Sequence, residues 1–457
     1  MKPFAASPCR LRVNVIRIRF LCAGRRLVLP FRAAMVLLAF CLSTSPGWSA
    51  ASANDISARF DEVVSHYARC GYFQGVVLVA QHGQVTFARG VGEANLAKHV
   101  PNTTRTRFGI ASITKQFTAA LVLQQVAEGR IRLDGTVSDY LPWYRKDTGQ
   151  RMTVDQLLHH TSGLPPDYDD AEFSDTPQAR RRYEPQEFAQ KFCQPALVAE
   201  PGTKWAYSNC GYVLLGLILE RVTGERFEEL LQERLLGPLG MKDSGLDQND
   251  LALHSGATGY TRHAGPRYSP GPALDRKHVF SAGAMYSSAE DLLRWNQALS
   301  STNFFPAEIR RAMFSPGMNH WADGWFVTRI PPNVPGAGNQ LAEMRGDMPG
   351  NFFTWILRYP EQEAVVIVLR NGYGSTEHFE ENLQAVLFGK PPRLPARSPK
   401  DIIAHSCQLV FAWPANHPLS AGFVLIASAA VVGVRRGGAR WLRSSGPAGQ
   451  NQVSRAT

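Results

Sequence analysis

Apolar residues recur at helical spacing through "DISARFDEVVSHYARCG" at 55–71, a run that stops at a glycine. In the next stretch, "FQGVVLVAQHGQVTFARGVGEAN" at 73–95, the pattern changes to β-branched runs on either side of His82-Gly83, which predicts two strands joined by a tight turn. Helical patterns follow around 112–129, 153–160, 210–235 and 288–299. Two late strand runs, "FFTWILRY" at 352–359 and "EAVVIVLRN" at 363–371, precede a closing helical pattern, "STEHFEENLQAVLFG" at 375–389. Strands at both ends of a helix-rich middle predict an α+β fold. The expected form is one mixed sheet completed late in the chain, with a mostly helical region inserted.

The two ends of the chain depart from this pattern. A basic stretch leads into the apolar run "AAMVLLAFCL" at 33–42, a Pro-Gly break at 46–47 and small residues "SAASA" at 49–53, so residues 1–53 are expected to be an export signal. Phe40 is too bulky for the usual lipidation site at Cys41. Beyond the Pro-rich "GKPPRLPARSPK" at 389–400, the run "LSAGFVLIASAAVVGV" at 419–434 carries no charge and is followed by Arg435, Arg436, Arg440 and Arg443. As a helix it spans about 24 Å of a roughly 30 Å hydrocarbon layer, and Pro414 and Pro418 interrupt its extension. The expected organisation is a domain over 54–389, a Pro-rich linker over 390–417, a transmembrane helix over 418–436 and a basic cytoplasmic tail over 437–457. This places the domain at the periplasmic face of the inner membrane. A buried apolar helix and a cleaved sorting tail are the competing readings of the same run.

Composition narrows the partners. In 457 residues, 44% hydrophobic and 19% charged is the balance of a folded globular chain. The formal charge of +11 would suggest nucleic acid, but it sits at the ends. Residues 1–34 hold eight basic residues and no acid, and 389–457 hold nine basic residues and Asp401, which leaves 32 basic against 37 acidic residues, a net of −5, for 35–388. Nucleic acid is therefore excluded as a partner of the body. Cys70, Cys193, Cys210 and Cys407 remain after the leader, with no CxxC spacing; one disulfide fits, and neither a zinc site nor an organic cofactor is called for.

The candidate chemistry begins at "GIASITKQFTAALVLQQVAEG", 109–129, where Ser112 stands three residues ahead of Lys115 at the start of a helical run. Residues i and i+3 share one helix face, so the amine lies one turn above the hydroxyl. Exposed N–H groups at the helix start favour an anion there, and a buried lysine is a group that can help activate a serine. A Ser-x-x-Lys pair is expected about once by chance in a chain of this length, and an N-cap serine beside a solvated lysine is the alternative. Further on, "PGTKWAYSNCGYVLLGLILERVTG" places Tyr207 and Asn209 at the entrance to another helix. There Tyr207 is a candidate general base beside an ammonium, and Asn209 a hydrogen-bonding partner for substrate amide and lysine.

With these motifs the chain resembles the serine beta-lactamase-related superfamily, in the branch that holds class C beta-lactamases, D-alanyl-D-alanine carboxypeptidases, D-aminopeptidases and related esterases. Six blocks carry the resemblance from about Phe73 to Phe388: "GVVLVAQHGQVTFARGVGEAN", "FGIASITKQFTAALVLQQVAEGRIRLDGTVSDYLP", "MTVDQLLHHTSGLP", "PGTKWAYSNCGYVLLGLILERVTG", "GPLGMKDSG" and "SAGAMYSSAEDLLRWNQAL". The resemblance implies an antiparallel sheet flanked by helices. It also implies Ser112 as an acylated nucleophile, Lys115 as its partner, and Tyr207 and Asn209 as the Tyr-x-Asn pair. By the same comparison His160 in "HTSGLP" shapes the site wall, and His159 is a helix-end residue with no chemical role.

The third motif departs from the family. Where relatives carry Lys-Thr-Gly or His-x-Gly, this chain has "EMRGDMPGNFF" at 343–353, with Gly346, Pro349 and Gly350 in register and Met344 in place of the cation. Arg345, its neighbour on a strand, is expected on the opposite face. The backbone N–H groups of Asp347 and Ser112 still form a candidate oxyanion hole. These residues predict an exported serine hydrolase acting on an ester or amide, esterase-like or D-amino-acid peptidase-like, with weak or no beta-lactamase action. Its partners are small-molecule or peptide substrates, peptidoglycan fragments among the candidates. The competing reading is a non-catalytic penicillin-binding-like module that binds peptidoglycan fragments or a protein partner.

Overall fold

The computed structural model describes residues 53–166, 183–247, 256–263, 268–271, 278–348, 351–373 and 378–395. Residues 1–52 of the expected leader, the expected membrane helix, Pro349, Gly350 and Cys407 all lie outside the described residues. Among the described residues, no helix is long and apolar enough to cross a membrane.

Helix α1, Ala53–Arg69, gathers Phe60, Val63, Val64 and Tyr67 on one buried stripe. Strands β1, Gly75–Gln81, and β2, Gln84–Val91, form the expected hairpin, its loop made by His82 and Gly83 at φ 48° and 74°. Two left-handed residues match the twist of a hairpin, which is why His-Gly serves there. The helical middle follows as α2, Thr114–Ala127; α3, Val154–Leu158; α4, Pro185–Phe192; α5, Asn209–Thr223; α6, Phe280–Gly283; and α7, Ala289–Ser300. The single helical pattern at 210–235 is broken where Gly224 turns left-handed at φ 76° and closes α5. Strands β3, Trp321–Ala322; β4, Trp325–Arg329; β5, Gln340–Met348; β6, Phe352–Tyr359; and β7, Ala364–Arg370 then complete the sheet, and α8, Phe379–Leu387, covers it.

Among the described residues the largest sheet runs β3-β4-β5-β6-β7-β1-β2, with every neighbouring pair antiparallel. The mixed sheet expected from the apolar pattern is thereby corrected. Five of its strands follow one another through short connections, which force each to reverse direction, and β1 pairs antiparallel with β7. Side chains alternate between two cores. Val76 and Leu78 of β1 join Met344 and Ile356 against α2 and α5, whereas Val77 and Val79 join Trp355 and Leu357 against α1 and α8. All seven residues of β7 are buried: the apolar run Ala364–Leu369, as a strand covered on both faces requires, and Arg370 at its end. Each fully buried Val or Leu contributes about 1.5 to 3 kcal/mol of transfer free energy, so both faces hold the sheet in place. A disulfide, Cys193–Cys210, ties the end of α4 to the second residue of α5, and Cys70 is a buried free thiol.

Candidate active site

Ser112 lies on a 3-10 turn, Ala111–Ile113, that feeds directly into α2. Ala111 takes φ 45°, a left-handed conformation that costs an alanine about 1 to 3 kcal/mol, and surrounding hydrogen bonds hold it there. The Thr114 hydroxyl donates to Ala111 O at 2.6 Å and accepts from Met285 N–H at 3.2 Å, while Ile110 N–H donates to Met285 O at 2.9 Å. Ser112 is not a helix cap: the N-cap positions of the turn and of α2 are Ile110 and Ile113. Lys115 is fully buried, not solvated. The bland alternative for the Ser-x-x-Lys pair therefore does not describe this site.

Lys115 reaches back one turn, as its spacing predicts, and its ammonium has three acceptors: Ser112 Oγ at 3.2 Å, Asn209 Oδ1 at 2.6 Å and Ala282 O of α6 at 2.9 Å. Three N–H donors and three acceptors satisfy a protonated lysine in a site where an unpaired charge would be costly. Tyr207 Oη is hydrogen-bonded to Ser112 Oγ at 2.8 Å, and Lys115 Nζ sits 4.7 Å from the Tyr207 ring centroid. A cation this close favours the phenolate form, which can accept the serine proton. The neighbouring phenol, Tyr212, is unsuited to that role, since it donates to Leu158 O at 2.9 Å and burial pushes its pKa well above the ordinary value.

His160 supports this wall and stays neutral. Burial first, then the charges of Lys115 and His159, hold its pKa well below the ordinary value. Its Nδ1 accepts from Ser208 N–H at 3.1 Å and its carbonyl from Ala206 N–H at 2.8 Å, which pins the segment bearing Tyr207. Its ring packs 4.4 Å from that of Tyr207 and 4.5 Å from that of Trp321.

Strand β5 forms the opposite wall. A β-carbon at Gly346 would lie 2.1 Å from Ile110 O and 2.3 Å from Thr354 Oγ1, so only glycine lets the strand approach the Ser112 turn. Strand β4 pairs with β5 only over Gln340–Glu343, and the edge from Met344 through Asp347 to Met348 runs on past it. Met344 is 2% exposed and belongs to the core beneath α2, opposite Ile356. Arg345 faces the other way, its guanidinium 4.0 Å over the Trp355 ring, and Arg105 is paired with Asp243 at 3.0 Å. Neither arginine takes the place of the missing cation.

The predicted residues Ser112, Lys115, Tyr207 and Asn209 thus meet in one hydrogen-bonded cluster, with Gly346 packed against it and Asp347 one residue further along the strand edge. The Ala282 carbonyl and an aromatic surround are not anticipated by the sequence motifs. That surround places Trp321 5.7 Å from Tyr207, Phe326 4.9 Å from Trp321, and Trp205 6.2 Å from Phe326. An Asp-Gly pair between aromatic residues in "WADGW", 321–325, is a hairpin signal that could have located part of it.

An α+β protein in which a buried lysine, a tyrosine and a serine hydroxyl converge beside the open edge of an antiparallel sheet is the class that fold and site define. The chain belongs to the beta-lactamase family, whose sequence model matches residues 60–389, and shares the beta-lactamase and transpeptidase-like fold of the serine beta-lactamase-related superfamily. It is 28% identical over 330 residues to protein flp of Staphylococcus aureus (strain MW2), covering 70% of this chain and 64% of that protein, so it spans under two thirds of that relative's length. A penicillin binding protein from Bacillus halodurans superposes with a TM-score of 0.62 at 25% identity, over 72% of this chain and 98% of that one. D-amino acid amidase from Ochrobactrum anthropi SV3, complexed with L-phenylalanine, gives 0.61 at 25% identity, over 73% and 96%.

Proposed function

We propose that the protein is an exported serine hydrolase that works through an acyl-enzyme on esters or amides with a neutral acyl group. The observation that carries this reading is the position of Ser112 Oγ between Tyr207 Oη at 2.8 Å and Lys115 Nζ at 3.2 Å. Tyr207 takes the Ser112 proton as Oγ bonds to the substrate carbonyl carbon, and the backbone N–H groups of Ser112 and Asp347 receive the oxyanion. When the carbonyl reforms, the bond to the leaving alcohol or amine breaks and Tyr207 returns the proton to it. Water then repeats the sequence on the acyl-enzyme: its proton passes to Tyr207 and on to Ser112, and the acid is released. Lys115 holds Tyr207 in its basic form and Asn209 orients both lysine and substrate.

Met344 shapes the substrate class. A strand wall without a cation gives no charge-assisted partner to a substrate carboxylate, so beta-lactams and D-Ala-terminated peptides are expected to be poor substrates. The similarity to a D-amino acid amidase supports amide cleavage within that class of reaction. The Cys193–Cys210 disulfide supports export, because such bonds persist in oxidising compartments. The leader at 1–53 and the anchor at 418–436 complete the proposal, with the domain held at the periplasmic face of the inner membrane.

The test is intact-mass labelling of the purified full chain, wild type and Ser112→Ala, with a fluorophosphonate and with a penicillin. A phosphonate adduct that depends on Ser112, with little or no penicilloyl adduct, is the expected result. No adduct from either reagent on folded protein would replace this reading with that of a non-catalytic peptidoglycan-binding module.

A further inference from the structure

A second charged pair lies directly behind the reacting groups. His159 caps α3, with Nδ1 3.0 Å from Asp155 O and 3.3 Å from Asp155 Oδ1, while Nε2 points to Asp323 Oδ1 at 3.7 Å. The Asp323 side chain is 3% exposed and that of His159 24%, so the ion pair is mostly shielded from water. At 3.7 Å the contact is too long for a hydrogen bond, and Asp323 Oδ1 has no other partner. A buried carboxylate in that position depends on the neighbouring imidazolium for its stabilisation.

The pair joins two elements that both touch the chemistry. Asp323 and Gly324 form the turn of the β3–β4 hairpin, and a β-carbon at Gly324 would lie 2.7 Å from Gln116 Cα and 3.0 Å from the Lys115 carbonyl carbon. The hairpin also carries Trp321, whose indole N–H donates to Leu158 O at 2.9 Å and whose ring lies 5.7 Å from that of Tyr207. His159 is followed by His160, whose ring lies 4.4 Å from that of Tyr207 and 4.5 Å from that of Trp321, and whose Nδ1 accepts from Ser208 N–H. Tyr207 is thus packed against one residue from each half of the pair's attachments, and those two rings also pack against each other.

We infer that the His159–Asp323 ion pair is a positioning pair: it fastens the β3–β4 hairpin to the His159-His160 corner and so sets Tyr207 and Lys115 against Ser112. Neither residue touches the reacting atoms. The inference rests on the reading of Ser112 as a nucleophile and Tyr207 as its base.

The charge state of the pair changes with pH. Burial acts to lower the His159 pKa, but the hydrogen bond to Asp155 and the charges of Asp323 and Asp155 outweigh it and raise the value to about 9. Burial raises that of Asp323 to about 6 against the opposing charge of His159, with Asp155 adding to the rise. The other groups facing the pair are His160, held neutral, and Tyr212 of α5, with Lys115 beyond them. Both members are charged between about pH 6 and about pH 9. Below that window Asp323 is protonated, and above it His159 is neutral.

The experiment compares the second-order rate constant for fluorophosphonate labelling in wild type, Asp323→Asn and His159→Gln from pH 5 to pH 10, on proteins shown to be folded by their melting curves. Near pH 7.5 each variant should label about tenfold more slowly than wild type, as a small displacement of a catalytic group predicts. The Asp323→Asn deficit should close toward pH 5, where wild-type Asp323 is itself neutral, and the His159→Gln deficit should close toward pH 10. A variant that labels like wild type throughout, or is slower by the same factor at every pH, overturns the inference. Should Asp323→Asn fail to fold, His159→Gln alone decides on the same criterion, its side chain being partly exposed. If wild type itself takes no label, the hydrolase reading falls separately. The pair is then judged by titrating the Tyr207 phenol as the ultraviolet difference between each protein and its Tyr207→Phe counterpart. A displaced midpoint in both variants supports the inference, and an unchanged one overturns it.

Discussion

The two walls of the site are built from different materials. The helical wall presents Ser112, Lys115, Tyr207 and Asn209 in one hydrogen-bonded cluster, with every N–H of the Lys115 ammonium directed at an acceptor. The strand wall presents a backbone edge and a buried thioether, Met344, with the adjacent cation, Arg345, turned away over Trp355. In the function proposed above, bond-making groups reside on the first and recognition of a charged substrate end would fall to the second, where Met344 replaces the cation of the family motif. On that proposal, chemistry and carboxylate recognition are separable parts of the site.

The largest expected effect comes from the helical wall. Ser112→Ala should lower turnover of any ester substrate about a thousandfold or more, measured by steady-state hydrolysis, because no other hydroxyl occupies that position. Tyr207→Phe keeps the ring packing against His160 and removes only the hydroxyl; kcat should fall about 10²- to 10⁴-fold with KM little changed. On the strand wall, Gly346→Ala should lower kcat about 100-fold, since the new β-carbon meets Ile110 O and shifts the edge that carries Asp347 N–H.

A smaller effect would sharpen the contrast. Met344→Lys should raise the ratio of activity on a carboxylate-bearing ester to that on its neutral counterpart about tenfold, at some loss of melting temperature because position 344 is buried. The smallest effect is on stability. The folded-state pKa of His159 is raised from 6.5 to about 9, so its contribution is complete below pH 6.5 and is lost as the pH rises through 9. The melting temperature of wild type should decline across that window more than that of His159→Gln, as calorimetry at several pH values can measure.

Much of the helical wall is legible in the sequence, because i, i+3 spacing on a helix fixes Ser112 and Lys115 on one face whatever surrounds them. The alternation of β5 likewise fixes Arg345 on the face away from Met344. What stays hidden depends on tertiary approach. The Ala282 carbonyl has no side-chain signature, and the His159–Asp323 pair joins residues 164 positions apart. The antiparallel course of the whole sheet is hidden for a related reason: β3 and β4 are too short to show a period. His159 does end α3, as expected from the sequence, but its partner across the hairpin leaves no mark on the local pattern.

The most direct test of the separation between chemistry and carboxylate recognition is kcat/KM for two matched aryl esters, one with a neutral acyl chain and one bearing a terminal carboxylate, alongside a penicillin. The wild-type enzyme should prefer the neutral ester by about tenfold or more and turn over the penicillin negligibly. Equal or faster hydrolysis of the carboxylate ester or the penicillin, with Met344 in place, would contradict that separation.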